Sequence, residues 1–130
     1  MLSFKEHINE LKVSKNQLDQ LEKTLDSLFK ELNIDIVFTK HFFDRLNDPR
    51  NIDQIKIREL RDLFRKEFTK HKNTFKGITP GAKALMIDLE TNVNIPFVMV
   101  WDEKNKELDL VNKTIMRKKG FKSNDKELKV

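Results

Sequence analysis

The apolar residues in the first quarter of the chain recur at helical spacing, and this pattern constrains the fold more than any other feature. Successive apolar side chains are separated by three or four positions, with one interval of seven: Phe4, Ile8, Leu11, Leu18, Leu21, Leu25, Leu28 and Leu32. Such spacing predicts a helix that is buried along one stripe. Capping boxes at residues 3–6 and 14–17 fit one long helix or a broken pair. We therefore expect a helical arm over residues 1–33, with residues 4–32 a candidate surface for a homo-oligomer.

The apolar period changes to alternation at residue 34, which predicts a strand. The run Ile-Asp-Ile-Val-Phe over residues 34–38 gives this strand one strongly apolar face. Thr39 can then cap a short helix over residues 40–47. Pro49 should end that helix, because the residue before a proline resists the α conformation.

A longer amphipathic helix and a group of strands complete the pattern. Asn51 or Asp53 can cap the helix, which should run to about Thr69 with basic residues opposite its apolar stripe. After a glycine-rich loop come three runs of strand character, and the short polar links between them suggest an antiparallel meander. These runs cover residues 82–90, 95–102 and 107–116. We predict an α+β fold in which residues 34–130 form one domain ending in a basic tail, and the whole chain forms one compact unit.

Composition narrows the class of protein. The 130 residues are 38% hydrophobic and include ten phenylalanines, enough apolar surface for one folded domain. The absence of cysteine excludes a disulfide scaffold and cysteine-ligated metal sites. The longest apolar run, at residues 97–101, is far shorter than a membrane helix needs. We expect a cytoplasmic protein with no membrane partner.

Charge is distributed unevenly along the chain. The net charge of +5 combines an acidic first part, residues 1–38, with a basic remainder that holds 21 basic and 14 acidic residues. Basic clusters within residues 53–76 and 113–130 are typical of proteins that bind a phosphate backbone, although solvated lysines give the same pattern. The candidate nucleic-acid contacts are Arg58, Arg61, Arg65, Lys66, Arg117, Lys118 and Lys119.

His41 and Arg45 are the residues best suited to chemistry. They are four apart, so on a helix they project from the same face. Histidine exchanges a proton near neutral pH and arginine is a permanent planar cation, which together match the demands of RNA cleavage without a metal. The structural alternative is that His41 packs near the helix start while Arg45 pairs with a carboxylate such as Asp48.

The order of elements from residue 34 to 68 resembles a known family. The His-Phe-Phe-Asp-Arg segment that follows the first strand, the break at residues 47–51 and the helix containing Leu63-Phe64 are similar to the RegB-type phage endoribonucleases. These belong to the RelE/YoeB-like group of the barnase–colicin–RelE class. The resemblance implies a RelE-like sheet and a metal-independent RNase, with His41 as base or acid and Arg45 as phosphate clamp. The whole chain, including residues 116–121, also resembles small proteins of marine tailed phages.

The chain differs from this family at one position, and the identity of one further site residue is not decided by the sequence. RegB-type sequences have a second histidine after the Leu-Phe pair, where this chain has Arg65, and His71 could replace it only if the helix ends early. Related folds end with a Lys or Thr that points into the site. Lys113 is our third catalytic candidate, but alternation places Lys113 and Thr114 on opposite faces unless a bulge intervenes.

Two other functions compete with an endoribonuclease that acts on mRNA or at the ribosome. One is a non-catalytic nucleic-acid-binding module that uses the same basic surface, and the other is an oligomeric phage protein held by its N-terminal helix. We expect no cofactor and no metal, because the acidic residues near the hairpins lack a histidine at ligand spacing.

Overall fold

The computed structural model describes residues 12–51 and 53–130, which form an α+β fold. The predicted capping box at residues 3–6 and the first part of the helical arm lie outside these ranges. The described part contains three α-helices, one short 3-10 helix and six strands. In chain order they are α1 (Lys15–Phe29), the 3-10 helix (Lys30–Leu32), β1 (Ile34–Phe38), α2 (Lys40–Leu46), α3 (Ile57–Lys76), β2 (Lys83–Ile87), β3 (Val93–Asp102), β4 (Glu107–Asn112), β5 (Met116–Arg117) and β6 (Lys126–Lys129).

Helix α1 begins where the second capping box predicts. The Ser14 hydroxyl accepts from the backbone N–H of Gln17 at 3.1 Å, and the Gln17 side chain accepts from the Ser14 N–H at 2.8 Å. The apolar stripe of α1 is buried in the core of its own chain at Leu18, Leu21, Leu25 and Phe29. Within the described residues, this stripe therefore joins the arm to the rest of the domain.

Helix α3 starts later and ends later than the sequence suggests. Neither Asn51 nor Asp53 caps it; the carboxylate of Glu59 accepts instead from the backbone N–H of Lys56 at 3.1 Å, just before the first helical residue. The helix continues to Lys76 because the ring of Phe75 packs edge-on against Phe29, with 5.6 Å between the ring centroids. Its backbone departs from helical geometry at His71 (φ −113°, ψ 21°).

The six strands form one mixed sheet in the order β1-β4-β3-β2-β6, with β5 paired to β3 beyond the end of β4. Strand β3 is antiparallel to β2 and β4, whereas β1 lies parallel to β4 and β6 parallel to β2. The predicted three-stranded antiparallel meander is therefore not an adequate description of the sheet. The predicted basic tail is also wrong for residues 126–129, which form β6 because Leu128 fills the core beside Met86.

Alternate residues of the sheet face the helices. The inward side chains include Ile36, Leu110, Met99 and Met86, all fully buried in a single hydrophobic cluster that extends from Val13 to Leu128. The opposite face carries acidic residues on β1 and β4, Lys83 with the buried side chains of Leu85 and Ile87 on β2, and Glu127 and Lys129 on β6. Across the described ranges, no helix combines the length and the apolarity needed to cross a bilayer.

Candidate functional site

Helix α2 is fixed so that His41 and Arg45 project away from the core. The Thr39 hydroxyl caps the helix by accepting from the backbone N–H of Phe42 at 3.0 Å, and it donates to the carbonyl of Asn112 at 3.2 Å. This ties the start of α2 to the end of β4. The opposite face of α2 is anchored by the fully buried side chains of Phe42 and Leu46. The expected helical pair thus forms on an immobilised helix, and the His41 side chain is exposed.

His41 and Arg45 line an open groove of about 510 Å³ between α2 and the segment that links β4 to β5. We call it the His41 groove. Its lining consists of His41, Arg45, Asp48, Arg50, Asn51 and residues 114–118. The chain bulges here, because β4 leaves β3 after Asn112 and pairing resumes only at Met116. The bulge forms one wall of the groove, and α2 forms the other.

Asn51 and Arg117 hold the two walls together. The Asn51 amide donates to the carbonyl of Arg45 at 2.8 Å and accepts from the backbone N–H of Arg117 at 3.0 Å. The Arg117 guanidinium donates twice to Glu59, each at 2.9 Å, and its other three bonds go to backbone carbonyls. Burial by itself would raise the pKa of Glu59, but the ion pair with Arg117 lowers this pKa below its usual range. All five donors of Arg117 are therefore engaged, and its predicted contact with nucleic acid is corrected to a structural role.

The groove carries an excess of positive charge. Asp48 pairs with Arg45 at 3.3 Å and with Arg50 at 2.7 Å, so it holds the two guanidiniums beside each other. The pairing of Arg45 with Asp48 was the structural alternative raised by the sequence, and it is present. The lining includes four cations, Arg45, Arg50, Arg117 and exposed Lys118, and one carboxylate, Asp48. Because Glu59 neutralises Arg117, the groove keeps an excess of two positive charges, not counting His41. Such a groove favours a ligand that carries at least two negative charges.

The bulge decides between Lys113 and Thr114. Thr114 lines the groove, whereas Lys113 is exposed and is not part of the lining. The backbone N–H of Lys113 donates to the carbonyl of Pro96 at 3.0 Å, which fixes this point of the bulge against β3. Lys118, which the sequence assigned only to nucleic-acid binding, supplies the basic group on this wall.

The basic residues of α3 do not reach the His41 groove. Lys66 forms an ion pair at 2.7 Å with the buried carboxylate of Asp88, which gives it a structural role, and its contact with nucleic acid stays a prediction. Arg61 and Arg65 line a separate groove beside α1. Arg58 is exposed on α3, and Lys119 is exposed in the loop that follows β5.

His71 does not supply the missing second histidine. Its Nε2 lies 2.8 Å from the carbonyl of Lys129 and 4.0 Å from a carboxylate oxygen of Glu67, under the far end of α3. The helix continues past His71 to Lys76 instead of ending early, so the imidazole stays beside β6. His41 is the histidine that lines the groove.

Three carboxylates meet at the opposite end of β4. Oxygens of Asp35, Glu107 and Asp109 all lie within 4.8 Å of one another, close enough to share a cation. Burial, followed by the charge of Asp35, raises the pKa of Asp109 to about 6. Sequence reasoning missed this cluster because it did not predict the parallel pairing that sets Asp35 opposite Asp109.

Arg50 and Asn51 were also missed as groove residues. Both lie in the turn after α2, and the contact of Asn51 with Arg117, 66 positions away, ties this turn to the other wall of the groove. Comparison with protein-family models, curated proteins and solved structures gives no match for this chain. The geometry of the groove is therefore the basis for a functional assignment.

Proposed function

We propose that the protein is a metal-independent RNA endonuclease that acts in the His41 groove. The observation that supports this is the position of an exposed imidazole beside Arg45, in an open groove whose cations outnumber its carboxylate. Phosphodiesters are the natural ligands of such a groove, because guanidinium and ammonium groups pair with phosphate oxygens. A metal-free site needs a proton acceptor as well, and His41 is the group that provides it.

Each groove residue has a role in the proposed reaction. His41 removes the proton from the ribose 2′-hydroxyl, and the resulting 2′ oxygen forms a new bond to phosphorus. Arg45 and Lys118 stabilise the additional negative charge on the phosphoryl oxygens. The bond from phosphorus to the 5′ oxygen breaks, and this oxygen takes a proton from water. The products carry a 2′,3′-cyclic phosphate and a 5′-hydroxyl.

The test is cleavage of single-stranded RNA in the presence of EDTA. We expect His41→Ala to reduce the rate by about a hundredfold or more, because a general base contributes on that scale. Arg45→Ala should reduce it by about tenfold or more through lost charge stabilisation. Lys104→Ala is the matched control, since Lys104 is an exposed lysine at the turn between β3 and β4, at the far end of β3 from the groove.

Unchanged rates in both groove variants would reject the assignment. Loss of cleavage on adding EDTA to the wild-type protein would also reject it. A rate that falls equally in the Lys104→Ala control would show a general charge effect and would argue against a specific site.

The second candidate is binding of nucleic acid without cleavage. Two observations favour it: Asp48 already pairs with Arg45 and Arg50, and a single imidazole lines the groove. This function predicts salt-dependent RNA binding with no products in EDTA, and His41→Ala would then leave the affinity nearly unchanged.

A further inference from the structure

A second cationic groove lies between α1 and α3. It has a volume of about 290 Å³ and is lined by Gln17, Gln20, Leu21, Thr24, Ile57, Arg61 and Arg65. Arg61 and Arg65 are one turn apart on α3, so both guanidiniums can reach the same groove. We call it the α1–α3 groove.

The two guanidiniums of this groove have no carboxylate partner among the described residues. Within residues 12–51 and 53–130, neither Arg61 nor Arg65 forms an ion pair, and no carboxylate lines the groove. This differs from Arg45, Lys66 and Arg117, each of which has a carboxylate partner. Two neighbouring like charges repel each other, so an anionic ligand would stabilise this arrangement.

The glutamine side chains of α1 add uncharged hydrogen-bond donors to this groove. The side-chain oxygen of Gln17 accepts from the backbone N–H of Ser14 at 2.8 Å, and its NH₂ group has no hydrogen-bond partner among the described residues. The Thr24 hydroxyl donates to the carbonyl of Gln20 at 3.1 Å, so the hydroxyl is used within α1. The groove thus combines guanidinium and amide donors, the types that contact nucleic-acid phosphates.

The two grooves lie on opposite sides of the start of α3. Glu59 holds Arg117 at the wall of the His41 groove, while Arg61, two residues later, lines the α1–α3 groove. Side chains two apart on a helix project from nearly opposite sides, and the helix itself is about 10–12 Å across. A nucleic-acid strand can therefore pass over the start of α3 and contact both grooves.

We infer that the α1–α3 groove binds phosphates of the same RNA strand that enters the His41 groove. This inference rests on the proposed function for the identity of the strand. Arg61 and Arg65 contact two phosphates, and the amides of Gln17 and Gln20 donate to their oxygens. The groove acts in binding only, because no histidine lines it.

The test measures binding of 2′-deoxy oligonucleotides, which lack the attacking hydroxyl, by fluorescence anisotropy over a range of salt concentrations. For a twelve-nucleotide strand, the double variant Arg61→Ala/Arg65→Ala should lower the affinity about tenfold or more. It should also reduce the slope of log affinity against log salt by about 1.4, since each single-strand phosphate contact contributes about 0.7.

Three further variants separate a site from a general charge effect. Arg61→Lys/Arg65→Lys should restore most of the salt slope. Gln20→Ala should weaken binding a few-fold without changing the slope, because it removes an uncharged donor. Lys83→Ala/Lys104→Ala is the matched control, with both lysines exposed and Lys83 on the sheet face away from the helices. An equal loss of affinity in this control would overturn the inference.

The two proposals fail in different ways. If the wild-type protein does not cleave RNA but the arginine pair sets the salt slope, the endonuclease is rejected and the α1–α3 groove stands. If RNA is cleaved and the arginine variant binds the long strand like wild type, the inference is overturned and the endonuclease stands. A polyglutamate peptide that competes as well as an RNA of equal charge would also overturn it, because the groove would then select charge alone.

Discussion

Glu67 lies in an environment that is unusual for a glutamate side chain. It is fully buried on α3, and neither of its carboxylate oxygens has a hydrogen-bond partner in the described part of the chain. Burial raises the pKa of Glu67 to about 9; the Asp88 carboxylate adds to the rise, while Lys70 opposes it. The folded protein therefore holds Glu67 in its neutral form at pH 7.

This residue should make stability fall with rising pH. Its pKa in the unfolded chain is that of an ordinary glutamate, near 4.5, so between that value and about 9 the folded state binds a proton that the unfolded state has released. The stability present below pH 4.5 is then lost at about 1.4 kcal/mol per pH unit until the folded pKa is passed. Glu67→Gln has no proton to lose, so its stability relative to wild type should increase from pH 5 to pH 9.

Urea unfolding at pH 5, 7 and 9 measures this difference. Glu90→Gln, at an exposed carboxylate, provides the control and should follow the wild-type curve. Parallel pH dependences for wild type and Glu67→Gln would contradict the account of Glu67.

Helix α1 closes the free edge of the sheet. Strand β1 lies at this edge, and two of its backbone N–H groups donate to carboxylates of α1: Ile36 to Asp26 at 2.6 Å and Phe38 to Glu22 at 3.2 Å. Burial, with the adjacent Asp35 carboxyl, raises the pKa of Asp26 to about 7. The helix thus blocks a strand edge that would otherwise be open to pairing with another chain.

Removal of the Asp26 carboxyl should weaken this closure. Asp26→Ala leaves the Ile36 N–H without its acceptor, and we expect a loss of about 1–3 kcal/mol together with faster hydrogen exchange at Ile36. Asp26→Asn keeps an acceptor oxygen and mimics the protonated acid. The unfolded chain releases the Asp26 proton near pH 3.8 and the folded protein near pH 7, so the stability of Asp26→Asn relative to wild type should rise between pH 4 and pH 7 and stay level above pH 7. Denaturant unfolding and amide exchange measure both effects.

Asp19→Ala supplies the comparison for that experiment. Asp19 lies on the exposed side of α1 and pairs with Lys15, so its loss should cost at most about 1 kcal/mol. If Asp26→Ala were no more destabilising than Asp19→Ala, the carboxylate contacts with β1 would not contribute to stability.

At the scale of the whole molecule, local signals in the sequence predicted elements, but not their pairing. The capping box at Ser14, the cap at Thr39 and the alternation in residues 34–38 each depend on neighbours in sequence, and all three are confirmed. Strand β6 has a single buried side chain, Leu128, so its run of four residues carries no alternation strong enough to predict a strand. It forms because β2 offers a free edge, which is a property of the assembled sheet.

In the candidate site too, local features could be predicted from the sequence, whereas features that depend on strand pairing could not. The helical spacing of His41 and Arg45 was sufficient to predict that they share one face, and they line the same groove. The bulge after Asn112 could not be predicted, because it depends on how β4 and β5 share one side of β3. For that reason the sequence assigned Lys113 to the site, and Arg117 to nucleic acid instead of to Glu59, 58 positions away.

The central claim is that His41 and Arg45 promote attack by a ribose 2′-hydroxyl on the adjacent phosphate. It is tested most directly with a DNA oligonucleotide that contains one ribonucleotide, incubated with wild-type protein in EDTA, with product ends identified by mass spectrometry. We expect a single cut on the 3′ side of the ribonucleotide, leaving a 2′,3′-cyclic phosphate, and no cut with His41→Ala. An intact oligonucleotide, or cuts at deoxynucleotides, would contradict the claim.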